Sequence, residues 1–219
     1  MVSNVLHVQT RPTSTPVISE TRPADFTGKR IFDVCFALFI SLLVLSWFIP
    51  IVSLLICLTS PGPPLFIQWR TGHNRRHFRC LKFRTMHHAP NTPFQQATRD
   101  DKRVTRLGAY LRRTNLDEMP QFLNVLVGDM SIVGPRPHAV QHDAQYWGLP
   151  GYSDRYCVRP GITGLSQVRG LRGETSNLTK MRHRLKFDLY YIRRGSLGLD
   201  LRICWLTVVQ MVRGNINAW

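Results

Sequence analysis

Acidic side chains are scarce in this chain. Thirteen Asp and Glu stand against 29 Lys and Arg, a formal charge of +16 over 219 residues, so an anionic partner is expected. Nucleic acid, an acidic membrane surface and a phosphorylated small molecule all satisfy that charge, which alone does not separate them. Paired cysteines are missing too. The five, at positions 35, 57, 80, 157 and 204, form no C-x-x-C motif and are odd in number, which favours reduced thiols in a cytosol-facing protein. Zinc held by Cys80 with His87 and His88 would need a spacing that no recurrent ligand pattern has. The sequence shows no internal repeat. Residues 1–28, rich in Thr, Ser and Pro, place no apolar core after a short basic start; they read as a disordered N-terminal tail and not as a secretory signal.

Charge disappears altogether between Val34 and Leu58, a run long enough for a membrane helix. Pro50 interrupts it, removing a backbone donor and bending the helix. Lys29 and Arg30 precede the run, and Arg70, Arg75, Arg76 and Arg79 follow it, so both flanks carry the cytoplasmic signature. A segment with both ends on one side must enter and return. The reading favoured is a re-entrant helical hairpin over residues 33–58, broken at Pro50, its freed carbonyls met by side chains such as Ser46 or Ser53. A straight span and a buried core helix are the alternatives. Asp33 near hydrocarbon needs a partner, and Arg30 three residues earlier is the obvious one.

After the "SPGPP" turn, "LFIQWRTG" and "HFRCLKFRTM" read as two strands joined through Gly72, His73 and Asn74, a short hairpin with Phe78, Cys80, Lys82 and Arg84 on one face. Residues 87–103 read as a loop. Leu107, Tyr110 and Leu111 then give one helical face, and Phe122, Leu123, Leu126 and Val127 another that Gly128 closes. Near the C-terminus Thr207, Gln210 and Arg213 share one side of an otherwise apolar helix, suited either to a core or to a lipid interface.

Two of the few acids are adjacent, Asp117 and Glu118 in "NLDEMPQ". Asn115 and Glu118 have capping-box spacing, and an acid in a first helical turn gains about 0.3–1 kcal/mol from the helix dipole. That explains one carboxylate better than two. Arg112, Arg113 and Arg136 lie close enough in sequence to keep Asp117 ionised, and an ionised carboxylate among guanidiniums sits where a phosphate is also held. It has the chemistry of a covalent nucleophile toward phosphorus, its neighbour holding a divalent metal or steering protons. "GPRP" (134–137) and "VRPGITG" (158–164) each combine an arginine with proline-fixed and glycine-permissive backbone, as a turn approaching an anion requires.

The ordered series "KRIFD", the Pro50-broken apolar run, "SPGPPLFIQWRTG", "LKFRTM", "LRRTNLDEMPQFLNVLVGDMSIVGPRP", "VRPGITGLSQVRGLRGET" and "FDLYYIRRGSLGLDL" resembles the bacterial sugar transferases, monotopic phosphoglycosyl transferases that begin exopolysaccharide, capsule and O-antigen repeat units. The resemblance runs from Lys29 onward. It implies an α+β, mostly helical, membrane-associated catalytic domain over residues 29–219, at the bacterial inner membrane and facing the cytoplasm. The implied reaction moves hexose 1-phosphate from a UDP-sugar to undecaprenyl phosphate, releasing UMP and requiring Mg²⁺. In that likeness Asp117 is the nucleophile, Asp117 and Glu118 form the metal-binding dyad, and Lys82, Arg84, Arg112, Arg136 and Arg159 bind the nucleotide-sugar phosphates. Asp188 also falls on a family position, of less clear role. "GLRGET" (170–175) is closest to the branch using UDP-glucose; UDP-galactose and UDP-N-acetylhexosamines are the alternative donors.

Two departures stand out. Ile49 precedes Pro50 where relatives often carry Ser, so another hydroxyl must satisfy the freed carbonyl. Many relatives carry additional N-terminal spanning helices and a nucleotide-fold domain, so a minimal form is expected here. The +16 charge then answers to nucleotide, lipid phosphate and anionic inner-leaflet lipids, with homo-oligomers allowed. The uncharged run argues against a nucleic-acid binder. A non-catalytic basic membrane scaffold stays open if the dyad is only a helix cap.

Overall fold

A computed structural model of the chain describes residue 26, residues 28–88, residue 98, residues 101–171, residue 173 and residues 178–213. The tail expected over residues 1–28 and most of the loop expected over 87–103 lie outside the described residues.

The uncharged run forms helix α1 (Lys29–Ile40), a π-helical turn (Ser41–Leu45) and helix α2 (Ser46–Thr59). Together they make one apolar helix of 31 residues, about 46 Å at the usual rise and so longer than a hydrocarbon core of about 30 Å. Pro50 lies inside α2, where it donates nothing to the preceding turn, and the π turn begins two turns upstream. There the Ser46 N–H reaches back to the Ser41 carbonyl. The displaced Leu42 carbonyl accepts instead from Ser46 Oγ at 2.7 Å, and that of Leu43 from Trp47 Nε1 at 2.8 Å. The Ser46 hydroxyl thus meets a carbonyl opened by the π turn; the carbonyl that Pro50 leaves without its donor is that of Ser46 itself, and α2 runs on through Pro50 to Thr59 instead of breaking there as expected. Ile31, Phe39, Leu42, Trp47, Leu54 and Leu58 are all more than half exposed along this helix, an apolar surface far beyond that of a water-facing helix.

Both ends of the helix dock on the remaining fold. Lys29 Nζ contacts Asp33 at 3.2 Å and Asp200 at 2.5 Å, and Asp33 Oδ1 also accepts the Ile132 N–H at 3.1 Å. The expected Asp33–Arg30 pair is therefore not made. Arg30 turns away to the carbonyls of Val125 and Leu126 at 2.8 and 3.2 Å, because the buried lysine one turn earlier is the better-placed cation. At the far end Val52 and Ile56 pack on Phe83 and Leu111.

Strands β1 (Leu65–Thr71) and β2 (His77–Phe83) form the expected antiparallel hairpin, in register from Leu65 opposite Phe83 to Thr71 opposite His77. Its turn is a 3₁₀ segment with Asn74 and Arg75 at positive φ. Alternation buries Phe78 and Cys80 and turns Lys82 inward with them. Helices α3 (Arg106–Arg113) and α4 (Gln121–Val127) flank a 3₁₀ turn, Leu116–Glu118, and Gly128 ends α4 at φ 97°. Strand β3 (Ser131–Val133) pairs in parallel with β4 (Gly161–Thr163); short helices α5 (Val140–Asp143) and α6 (Leu165–Val168) follow these strands.

The last two helices, α7 (Leu178–Arg194) and α8 (Leu197–Arg213), close the core through Tyr191, Ile192 and Ile203, which pack with Ala37, Val125, Met130 and Val133. The polar side of α8 faces the protein: Thr207 bonds Thr163 at 2.6 Å and Gln210 Nε2 donates to the Val168 carbonyl at 2.8 Å. Its apolar residues Leu201, Trp205, Val208 and Val212 are exposed.

Candidate active site

Asp117 and Glu118 sit at the end of the 3₁₀ turn between α3 and α4, both buried, with 8% and 7% of their surface exposed. The capping box is not formed. Asn115 takes a left-handed conformation, φ 58°, and makes no side-chain cap bond, and Glu118 reaches away from the backbone. Arg136 grips both its oxygens, Nη1 to Oε2 at 3.0 Å and Nη2 to Oε1 at 2.5 Å, and Lys82 Nζ adds 2.6 Å to Oε1. Two cations on one carboxylate form a fixed anchor. Asp117 is treated differently. Among the described residues nothing hydrogen-bonds its carboxylate, although Lys82, Arg112 and Arg136 all act on it by charge.

The two carboxyls titrate in opposite directions. Burial lifts Asp117 to about 6, and Glu118 adds to the rise against the opposing pull of Lys82, Arg112 and Arg136. Burial also disfavours the charge on Glu118, but Arg136 and Lys82, by charge and hydrogen bond, hold it well below the usual carboxylate range. Neighbouring acids pushed apart by their surroundings are the mark of divided roles. Arg112 Nε is fixed by Thr85 Oγ1 at 2.8 Å, and burial lowers its pKa against the raising effect of Asp117.

Of the sequence-predicted site residues, Lys82, Arg112, Arg136, Asp117 and Glu118 are thus brought together. Arg84 points elsewhere: Nη2 donates to the Ser60 carbonyl at 2.6 Å and Nη1 to that of Pro61 at 2.9 Å, capping the end of α2. Arg159 donates through Nε to the Gly128 carbonyl at 3.0 Å and lines a small cavity with Lys29, Arg30, Asp33 and Tyr191. The glycines of "GPRP" and "RPGITG" serve each other: a Cβ on Gly161 would lie 2.1 Å from the Gly134 nitrogen, and one on Gly134 2.5 Å from the Arg159 oxygen. They let two loops touch backbone to backbone.

Asp188 lies behind the site. Its Oδ2 accepts from Arg155 Nε at 2.9 Å and its Oδ1 from Ser166 Oγ at 2.8 Å. Sequence reasoning passed over Arg155 and Arg70, both of which bond the "GPRP" loop; apart from charge, neither carries a local signal.

The dyad fits Mg²⁺ in one particular manner. Glu118 has its oxygens occupied by cations, whereas the Asp117 carboxylate is open, and Mg²⁺ is characteristically held by one or two carboxylates together with substrate phosphates and water. Among the described residues no cluster of three His, Cys, Asp or Glu could cage a metal alone.

The sequence pattern of the bacterial sugar transferases matches residues 24–214. The chain belongs to the bacterial sugar transferase family. Over 197 residues it is 48% identical to the exopolysaccharide production protein PSS of Rhizobium leguminosarum bv. phaseoli, covering 87% of this chain and 98% of that protein. It is 50% identical over 182 residues to the UDP-glucose:undecaprenyl-phosphate glucose-1-phosphate transferase of Escherichia coli (strain K12), covering 82% of this chain but 39% of the relative. A third family member, the UDP-N-acetylgalactosamine-undecaprenyl-phosphate N-acetylgalactosaminephosphotransferase of Aeromonas hydrophila, is 39% identical, with 85% of this chain and 44% of that protein covered. The sugar transferase chain thus spans about two fifths of the length of several longer relatives.

Proposed function

We propose that this sugar transferase moves glucose 1-phosphate from UDP-glucose to undecaprenyl phosphate and releases UMP, with Asp117 as covalent nucleophile. One observation carries the assignment of roles. Glu118 is saturated by Arg136 and Lys82, while the Asp117 carboxylate beside it is buried and has no hydrogen bond among the described residues. Burial raises its pKa to about 6 while Lys82, Arg112 and Arg136 favour the charged form, and no donor among the described residues quenches it.

In the first step an Asp117 oxygen bonds the β-phosphorus. The bond from that phosphorus to the bridging oxygen breaks, and UMP leaves with the electron pair. In the second, an oxygen of undecaprenyl phosphate attacks the same phosphorus and Asp117 departs as carboxylate, leaving a sugar diphosphate lipid. Lys82, Arg112 and Arg136 oppose the charge of the diphosphate; Arg136 spends two of its five donors on Glu118, leaving others for substrate. Of the dyad, the open Asp117 carboxylate is the group that would hold Mg²⁺, Glu118 being committed to Arg136 and Lys82; the ion would neutralise phosphate oxygens.

The apolar helix is read as re-entrant, bringing the site to the height of the lipid phosphate at the cytoplasmic face of the inner membrane. Support comes from its two docked ends, Lys29 on Asp200 and the Ser60 carbonyl on Arg84, and from basic residues on both flanks, which suit anionic lipids. The name of the Aeromonas hydrophila relative favours a UDP-N-acetylhexosamine as the second candidate donor.

The test is to incubate purified protein with a panel of UDP-sugars, with and without undecaprenyl phosphate. UMP should appear with UDP-glucose, and without lipid acceptor a phosphohexose should be found on Asp117 by peptide mass spectrometry. Turnover with no such adduct on Asp117 would overturn the covalent assignment.

A further inference from the structure

The loop that presents Arg136 is built so that it cannot hold itself. Pro135 and Pro137 on either side of Arg136 have no N–H, so the loop contributes carbonyls with few donors of its own. Three successive carbonyls are each taken by a different part of the fold. That of Pro135 accepts from the Gly161 N–H of β4 at 3.0 Å. That of Arg136 accepts from Arg155 Nη2 at 2.8 Å. That of Pro137 accepts from Arg70 Nη1 at 2.6 Å. Two of the three donors are therefore side chains, and both are held from behind. Arg155, 3% exposed, is gripped through Nε by Asp188, which Ser166 in turn fixes. Arg70 has Nε and Nη2 on Gln68 Oε1 at 3.3 and 3.0 Å.

We infer that Arg155 and Arg70 are positioning residues, clamping the carbonyls of Arg136 and Pro137 so that the Arg136 guanidinium stays seated on Glu118 and faces the diphosphate. Neither need touch substrate. The inference rests on the transfer reaction proposed above, and it explains why Asp188 is buried where it is, since that carboxylate holds the arginine that holds the loop. A guanidinium suits both positions because its fork spans two acceptors at once. Lysine at position 155 keeps the charge for Asp188 but cannot also span to the Arg136 carbonyl.

The experiment compares Arg155→Lys, Arg70→Met and Arg70→Lys with the unaltered full chain in lipid nanodiscs containing undecaprenyl phosphate. Rates are counted per molecule able to form the covalent adduct, which removes misfolded protein from the comparison. Arg155→Lys and Arg70→Met should lower kcat with UDP-glucose on the order of 10- to 100-fold, the scale of a misplaced catalytic group, with KM changed less than about twofold. Arg70→Lys, which still reaches one carbonyl, should recover most of the loss. Amide hydrogen exchange over residues 134–139 should quicken in Arg155→Lys and Arg70→Met. Unchanged exchange, or quickened exchange with per-site kcat at the unaltered level, overturns the inference. Absence of UMP from every UDP-sugar in the unaltered protein would instead remove the transfer reaction, and exchange, which needs no turnover, would still decide whether the two arginines fix the loop.

Discussion

Replacing Asp117 by Asn should destroy transfer and yet make the protein more stable. The carboxyl rises from its ordinary 3.8 to about 6 on folding, chiefly through burial, so the folded state holds the proton more tightly than the unfolded chain. The sign follows from linkage. Below pH 3.8 the group is neutral in both states and costs nothing; between 3.8 and 6 the folded state progressively loses that advantage; above 6 the whole penalty is present. The rise from 3.8 to about 6 corresponds to about 3 kcal/mol at 1.36 kcal/mol per pH unit. The neutral amide avoids that cost. For a chain of this size the gain amounts to roughly 6–12 °C in thermal midpoint, an upper bound. The assay is thermal unfolding in detergent without divalent metal, at pH 4.5 and 7.5. The variant's advantage should be small at the lower pH and several degrees at the higher. A variant no more stable than the parent at pH 7.5, or one whose advantage does not grow with pH, would refute the picture of Asp117 as a carboxylate whose charge is disfavoured by burial.

Glu118→Gln should act in the opposite sense, since it takes from Lys82 and Arg136 the carboxylate that both contact directly; a loss of about 3 kcal/mol is expected for a broken buried pair, seen as a lower thermal midpoint alongside severely reduced UMP release. Asp200→Asn removes the carboxylate that Lys29 contacts at 2.5 Å and Tyr191 at 2.7 Å. It should likewise cost about 3 kcal/mol, measured as a fall in midpoint, with any surviving molecules retaining an intact dyad. Single cysteines introduced by Thr21→Cys and Arg76→Cys in a cysteine-free background should be labelled from the same side of sealed vesicles; labelling from opposite sides means a plain span. Chelation by EDTA should abolish UMP release, and added Mg²⁺ should restore it.

Local pattern carried much of the fold into the sequence. The hairpin was visible because alternation and a Gly-His-Asn turn coincide, and the end of α4 because Gly128 supplies the left-handed residue a helix terminus favours. Arg112 and Arg136 beside the dyad were legible as charge supporting charge, whereas Lys82 came to the site only through the family resemblance. What stayed hidden depended on distance along the chain. Arg30 looked like the partner of Asp33 because it is near in sequence, whereas the buried lysine at 29 and a backbone N–H at 132 take that carboxylate. Arg84 shares a strand face with Lys82, but the end of α2 lies under it. The pattern of α8 left a core and a lipid interface equally open, and only the fold shows Thr207 and Gln210 meeting its polar groups. A one-dimensional pattern reports which residues share a face and not what that face will meet.

The ion knot at the foot of the apolar helix has a consequence for biogenesis. Lys29 and Asp200 are separated by 171 positions, and ribosomes add about 5–20 residues per second, so roughly 10–30 s pass between the synthesis of one partner and that of the other. During that interval the greasy segment is already made while its lysine still lacks the second carboxylate. On the re-entrant reading proposed above, docking of α8 is the event that locks the early-made helix to the body it serves, and nascent chains halted before it should be extracted from membranes more readily than finished ones.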